Sequence, residues 1–144
     1  MQLCEKGLID LDSPVTRYLS WFRTSNRDKS DNISVRMLLN NTSGLKSLIS
    51  SEHSLNSMVL EKFVKSLAGT YLSRDPGTSY EYSNTAFCVA GLIIQTVSGK
   101  SYSKYMNENI LLPLHMNLTS FEPVERTRKS MSQGHYYGID KAIT

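Results

Sequence analysis

No stretch constrains this chain more than Thr85-Ala86-Phe87-Cys88-Val89-Ala90-Gly91-Leu92-Ile93-Ile94-Gln95-Thr96-Val97. It carries no charge and is apolar on most faces at helical spacing. A helix of that kind holds in water only when other elements cover it. Its ends are marked as well. Asn84 stands where an N-cap belongs, and Ser98-Gly99 stands where a helix stops. The stretch therefore predicts a central helix with a core built around it.

The rest of the chain supplies the covering elements. Residues 57–68 place Val59, Leu60, Phe63, Val64 and Leu67 at a 3.6-residue period before Gly69, the clearest amphipathic helix. Ser34 caps a short helix through Leu39, and residues 40–44 form a turn. Ser101 caps another helix to about Ile110, ahead of Pro113. Residues 1–6 read as the last turn of a helix stopped by Gly7. Residues 8–12 alternate like a short extended segment. Ser13-Pro14 predicts a short helix to about Phe22. Residues 24–32 are polar and predict an exposed loop, and the tail from Glu122 is polar. Roughly half the chain reads as helix, with little strand.

Composition excludes several classes. The chain has 144 residues, a net charge of +3 and 40% hydrophobic residues, too apolar for disorder at this charge. The densest basic run is Glu125-Arg126-Thr127-Arg128-Lys129, which gives no nucleic-acid footprint. Cys4 and Cys88 show no paired spacing, and His53, His115 and His135 are isolated, so no metal motif is present. The longest apolar run, 86–94, is too short to span a bilayer. The N-terminal residues lack the basic start and apolar core of a signal peptide.

Chemistry concentrates in Pro76-Gly77-Thr78-Ser79-Tyr80-Glu81-Tyr82-Ser83-Asn84. A turn at Asp75-Pro76-Gly77 delivers a short extended piece that runs straight into the central helix. That connection holds Tyr82 and Asn84 on one side. A tyrosine hydroxyl can relay protons, and an asparagine amide can both donate to and accept from a polar ligand. The plainer reading is that Tyr82 packs and Asn84 only caps the helix.

Four ordered blocks decide between these readings. They are Gln2-Leu3-Cys4-Glu5-Lys6-Gly7-Leu8-Ile9-Asp10-Leu11-Asp12-Ser13-Pro14-Val15; Ile33-Ser34-Val35-Arg36-Met37-Leu38-Leu39-Asn40-Asn41-Thr42-Ser43-Gly44-Leu45; Pro76-Gly77-Thr78 through Tyr82-Ser83-Asn84 and Gly91-Leu92-Ile93-Ile94; and Ser98-Gly99-Lys100-Ser101-Tyr102 with Leu112-Pro113-Leu114-His115-Met116. In this order the chain resembles the serine β-lactamase-related family, which includes class C β-lactamases, penicillin-binding D,D-peptidases and related esterases. The family often has histidine where this chain has Asn41. An asparagine replaces one imidazole hydrogen bond but not its ionisation.

The resemblance implies an α/β (α+β) β-lactamase/transpeptidase-like parent fold, of which this chain supplies mostly the helical region. It implies an acyl-enzyme mechanism built on Ser-x-x-Lys, Tyr-x-Asn and a later Lys/His-x-Gly strand. Tyr82 matches the proton-handling tyrosine and Asn84 the substrate-positioning asparagine. The nucleophile is expected about ten residues before Met1 and the strand motif beyond Thr144. Two formal Ser-x-x-Lys matches, Ser43-Gly44-Leu45-Lys46 and Ser101-Tyr102-Ser103-Lys104, are what chance supplies in a serine-rich chain. The first sits in a turn, and the second is a helix cap.

No cofactor or metal is implied. The implied substrates are β-lactams, D-Ala-D-Ala peptides of peptidoglycan, or small esters. The parent is expected outside the cytoplasm or at the membrane of a bacterium. The chain alone is expected to be inactive. It is also expected to self-associate, because residues 85–97 should pack on a sheet it does not contain. The alternative is a truncated, non-catalytic helical module for binding or interaction.

Overall fold

The computed structural model describes residues 1–48 and 57–121. The predicted tail, the 125–129 run, His53 and His135 lie outside them. Among the described residues the fold is helical, and the only β pairing is an isolated antiparallel bridge between Pro14 and Ser34.

The central helix is α5, Asn84–Ser98. It buries Thr85, Ala86, Val89, Gly91, Leu92 and Ile93. Three helices pack on it: α3 (Val35–Leu39), α4 (Ser57–Ser66) and α6 (Tyr102–Met106). These helices cover part of α5. Phe87 remains 46% exposed. The core gathers Val15, Leu19, Phe22, Ile33, Leu38, Leu45, Val64, Leu67, Val89 and Ile93, all buried.

Helix ends follow local chemistry. The Ser34 hydroxyl accepts the Met37 N–H, and the Ser101 hydroxyl accepts the Lys104 N–H, as expected. Gly99 closes α5 in the left-handed conformation with φ of 66°. A 3-10 turn, Leu67–Gly69, extends α4, and a π-helical turn, Asn107–Leu111, extends α6 to where the sequence placed its end. The Gln95 side chain accepts the Tyr102 N–H at 3.0 Å and ties α5 to α6. The short α1, Gln2–Glu5, is tied to the far end of the chain. Gln2 donates to the Asn109 carbonyl and accepts from the Tyr105 hydroxyl.

The structure corrects four expectations. First, the cap of α5 is Ser83, whose hydroxyl accepts the Ala86 N–H at 3.1 Å; Asn84 is the first helical residue. Second, Ser13-Pro14 does not open an α-helix to Phe22, and only a 3-10 turn, Val15–Arg17, forms. Val15 instead donates to the Ile33 carbonyl and Val35 to the Ser13 carbonyl, so this backbone pairs across the chain. The β-branched and aromatic run Val15, Thr16, Tyr18, Trp21, Phe22 also disfavours a longer helix.

Third, residues 24–32 contain α2, Arg27–Asp31, capped by Asn26. Thr24 and Ser30 are buried there, with hydroxyls 2.9 Å apart. Polar residues go inside when they satisfy one another. Fourth, residues 8–12 turn rather than extend. The Asp10 carboxylate accepts the Asp12 N–H at 3.0 Å and the Ser13 hydroxyl at 2.8 Å, and Arg36 grips Asp12 with two nitrogens at 2.6 and 2.8 Å.

Candidate active site

Tyr82 and Asn84 sit where an irregular segment enters α5. The irregular segment, residues 73–83, has little regular structure of its own and is held by a second loop, residues 40–48. Among the described residues, the hydrogen bonds that join the two include four from backbone amides and a second bond from Ser73, whose hydroxyl lies 3.1 Å from the Gly44 carbonyl oxygen. Gly44 O accepts Ser73 N–H at 2.9 Å, Thr42 O accepts Gly77 N–H at 2.8 Å, Asn41 O accepts Glu81 N–H at 2.8 Å, and Asn41 Oδ1 accepts Ser83 N–H at 3.0 Å.

Contact at Gly44 is close. A Cβ built there would lie 2.2 Å from the Arg74 carbonyl oxygen, and its φ of +74° is one that L side chains rarely adopt. Glycine alone lets the two backbones meet in this way. Beneath the loop, the Ser73 hydroxyl donates to the Glu81 carboxylate, and Arg74 lies 3.6 Å from it.

The 40–48 loop also reaches the first residues of α5. The Ser47 hydroxyl accepts the Asn84 N–H at 3.2 Å, and the Thr85 hydroxyl accepts the Leu48 N–H at 2.9 Å. The start of the helix is thereby fixed by its own cap and by a neighbour. On that frame the Tyr82 hydroxyl donates to Asn84 Oδ1 at 2.9 Å. Tyr82 is 58% exposed, whereas Ser83, the next residue, is fully buried.

The result is an open face carrying a phenolic hydroxyl beside a carboxamide, a group that both donates and accepts. It lies at the N-terminal, partially positive end of a 15-residue helix. Such a face can orient a polar ligand through donors and acceptors set side by side. Tyr80, two residues earlier, is 69% exposed.

Neither Ser-x-x-Lys match forms a nucleophile. Ser43 is buried, its hydroxyl turned to the Leu45 N–H at 3.4 Å, while Lys46 is exposed. Ser101 caps α6, and the Lys104 ammonium faces Glu108 at 4.0 Å. Cys88 is half-buried with its thiol pushed up by desolvation, and both cysteines are unpaired. Among the described residues no group of three or more His, Cys, Asp or Glu side chains gathers to hold a metal, and no helix is long and apolar enough to cross a membrane.

The structure brings together the two residues singled out in the sequence, Tyr82 and Asn84, and adds Asn41, Ser47 and Thr85, which the sequence did not mark as their supports. Adjacent asparagines before Thr42-Ser43-Gly44 signal a turn. Nothing local says which distant amides that turn will hold.

Comparison with known proteins identifies the family and the fold. The Beta-lactamase family model matches residues 1–141, and the chain belongs to that family of serine hydrolases. Protein flp of Staphylococcus aureus (strain COL) is 34% identical over 137 residues, covering 94% of this chain and 28% of flp. Penicillin-binding protein 4 of Amycolatopsis lactamdurans is 26% identical over 142 residues, covering 97% of this chain and 37% of that protein. The crystal structure of FmtA from Staphylococcus aureus superimposes with a TM-score of 0.79 at 26% identity, over 99% of this chain and 38% of FmtA. The fold is β-lactamase/transpeptidase-like, and the chain corresponds to a helical part of it, spanning well under half the length of these relatives.

Proposed function

We propose that residues 1–144 form one wall of a serine hydrolase that works through an acyl-enzyme on β-lactams, D-Ala-D-Ala peptides or small esters. In this reading the Ser-x-x-Lys nucleophile segment and the Lys/His-x-Gly strand come from sequence outside these residues. The serine hydroxyl attacks the substrate carbonyl, and its proton passes to the Tyr82–lysine pair. The leaving amine or alcohol takes a proton as the carbonyl–heteroatom bond breaks. Water then attacks the acyl ester and releases the acid and the serine. Asn84 holds the substrate's polar side group, and the strand backbone holds the developing oxyanion.

One observation carries the proposal: the exposed Tyr82 hydroxyl, 2.9 Å from Asn84 Oδ1 at the start of α5. The family's substrates and the penicillin-binding name of one relative support the substrate class. The enzyme acts outside the cytoplasm or at the membrane of a bacterium. The chain by itself is inactive and self-associates, with Leu112, Leu114 and Leu118 exposed.

The test uses the protein read in frame through the coding sequence that flanks this segment, the read-through protein. Tyr82→Phe keeps the ring and removes the hydroxyl, so turnover should fall by about 10²–10⁴-fold. Tyr80→Phe should leave turnover unchanged. Full turnover in Tyr82→Phe on every accepted substrate refutes the assignment. The 144-residue chain alone should take no covalent label from a fluorescent penicillin, by intact mass.

A further inference from the structure

Asn41 holds the extended segment before α5 on both sides of Tyr82. Its φ of 59° lies in the left-handed region, which asparagine enters more readily than other non-glycine residues. In that conformation its backbone carbonyl accepts the Glu81 N–H at 2.8 Å, and its side-chain carbonyl accepts the Ser83 N–H at 3.0 Å. Successive residues of an extended piece point to opposite faces. Fixing the amides of residues 81 and 83 along one edge sets the plane of this piece, and with it the face on which residue 82 stands. Burial matches this alternation: Ser83 is fully buried and Glu81 is half-buried against Ser73, while Tyr82 is 58% exposed.

We propose that Asn41 is a positioning residue for Tyr82. Its left-handed backbone and side-chain carbonyl together fix the direction in which the Tyr82 hydroxyl meets Asn84 and the substrate. Any residue could offer a backbone carbonyl to Glu81. Only a short side-chain acceptor on a left-handed residue also reaches the Ser83 amide. Because Ser83 caps α5 through its own hydroxyl, the same contact joins the clamp to the helix start. The catalytic half of this inference rests on the role given to Tyr82 above; the clamp itself does not.

Two variants separate side-chain from backbone effects. Asn41→Gly keeps the left-handed backbone without strain and removes only the acceptor. Asn41→Asp keeps both the acceptor and the tolerance of that backbone. Amide hydrogen exchange on the full chain should show Ser83 exchanging about 2–10-fold faster in Asn41→Gly, the loss expected for one hydrogen bond. Protection at Glu81, bonded to the backbone, should persist. Asn41→Asp should restore Ser83.

In the read-through protein, Asn41→Gly should lower kcat more than it raises KM, with a thermal midpoint lowered only by what one hydrogen bond contributes, and with recovery of kcat in Asn41→Asp. Unchanged Ser83 exchange in Asn41→Gly overturns the clamp. Faster exchange with unchanged kcat overturns the positioning role. If Tyr82→Phe itself keeps full turnover, the reading of Tyr82 fails and takes the catalytic half with it, while the exchange data still decide the clamp.

Discussion

Two stretches meet at Asn84, and they are held in opposite ways. After it, α5 is fixed by volume: Val89 and Ile93 are buried among α3, α4 and α6. Before it, residues 73–83 are fixed by direction, through backbone amides bonded to Thr42, Gly44 and Asn41. Apolar packing is non-directional and scales with buried area, so it supports many side-chain choices of similar size. A ladder of single hydrogen bonds between irregular loops allows few changes at its close contacts but tolerates exposed variation. Tyr82 and Asn84 are presented by the second kind of structure and anchored by the first.

That contrast breaks most sharply in the core. Ile93→Ala should destabilise the read-through protein by about 2–5 kcal/mol, as buried isoleucine truncations do. Denaturant unfolding should show it as a lower midpoint with unchanged slope. KM for substrate should stay as it was, because the loop ladder does not touch Ile93. A variant that loses substrate affinity while keeping its stability would mean that the two stretches are not separable.

Gly44→Ala should act on the other side. The left-handed backbone alone costs an alanine about 1–2 kcal/mol. The Cβ would also stand 2.2 Å from the Arg74 carbonyl oxygen, so the loops must part. Exchange protection should fall at Ser73, Gly77 and Glu81, while the amides of α5 from Val89 onward stay protected. Loss of protection throughout α5 would show that the ladder supports the core rather than the reverse.

The same contrast explains what the sequence revealed. Helix α5 was legible because its apolar residues and Gly99 act locally, and Ser34 and Ser101 cap as single polar residues before apolar runs. The pair Ser83-Asn84 was misassigned because both residues are good caps. Long-range bonds decide between them, since Asn41 holds Ser83 extended at φ −144° and Ser47 takes the Asn84 amide. The buried pair Thr24 and Ser30 was read as surface because its mutual hydrogen bond is invisible in composition. Tyr82 and Asn84 were singled out through motif order, and the structure places their side chains together. Their supports were hidden because those contacts cross about 40 residues of chain.

The corrected cap yields a smaller and cleaner prediction. Ser83→Ala removes the cap of α5 and should cost about 1 kcal/mol. Asn84→Ala keeps that cap and even gains helix propensity, so its stability should change by only a few tenths of a kcal/mol. If Asn84 positions substrate, Asn84→Ala should lower kcat/KM without lowering the thermal midpoint. Equal destabilisation by both variants would return the cap to Asn84.

The smallest effect lies farthest from the site, at the Asp12–Arg36 pair that ties residues 8–15 to α3. The Arg36 guanidinium holds the Asp12 carboxyl below the ordinary aspartate value, chiefly through their hydrogen bonds. A carboxyl whose folded pKa is depressed contributes stability above its unfolded pKa, about 3.9, and loses it as pH falls through the folded value. Both side chains are more than half exposed, so salt screens the pair and its contribution is small. Asp12→Asn should therefore lower the thermal midpoint slightly at pH 7 in low salt. The difference from the parent should shrink as pH drops below about 3.9, and also as salt is raised at pH 7. Asp10 shares the sign, its carboxyl held low by the Asp12 amide and the Ser13 hydroxyl, so Asp10→Asn is the matched control. Its acceptor bonds are to neutral donors, and its effect should fade with acid but resist salt. A salt response equal to that of Asp12→Asn would mean that charge, rather than the turn's hydrogen bonds, holds this segment against α3.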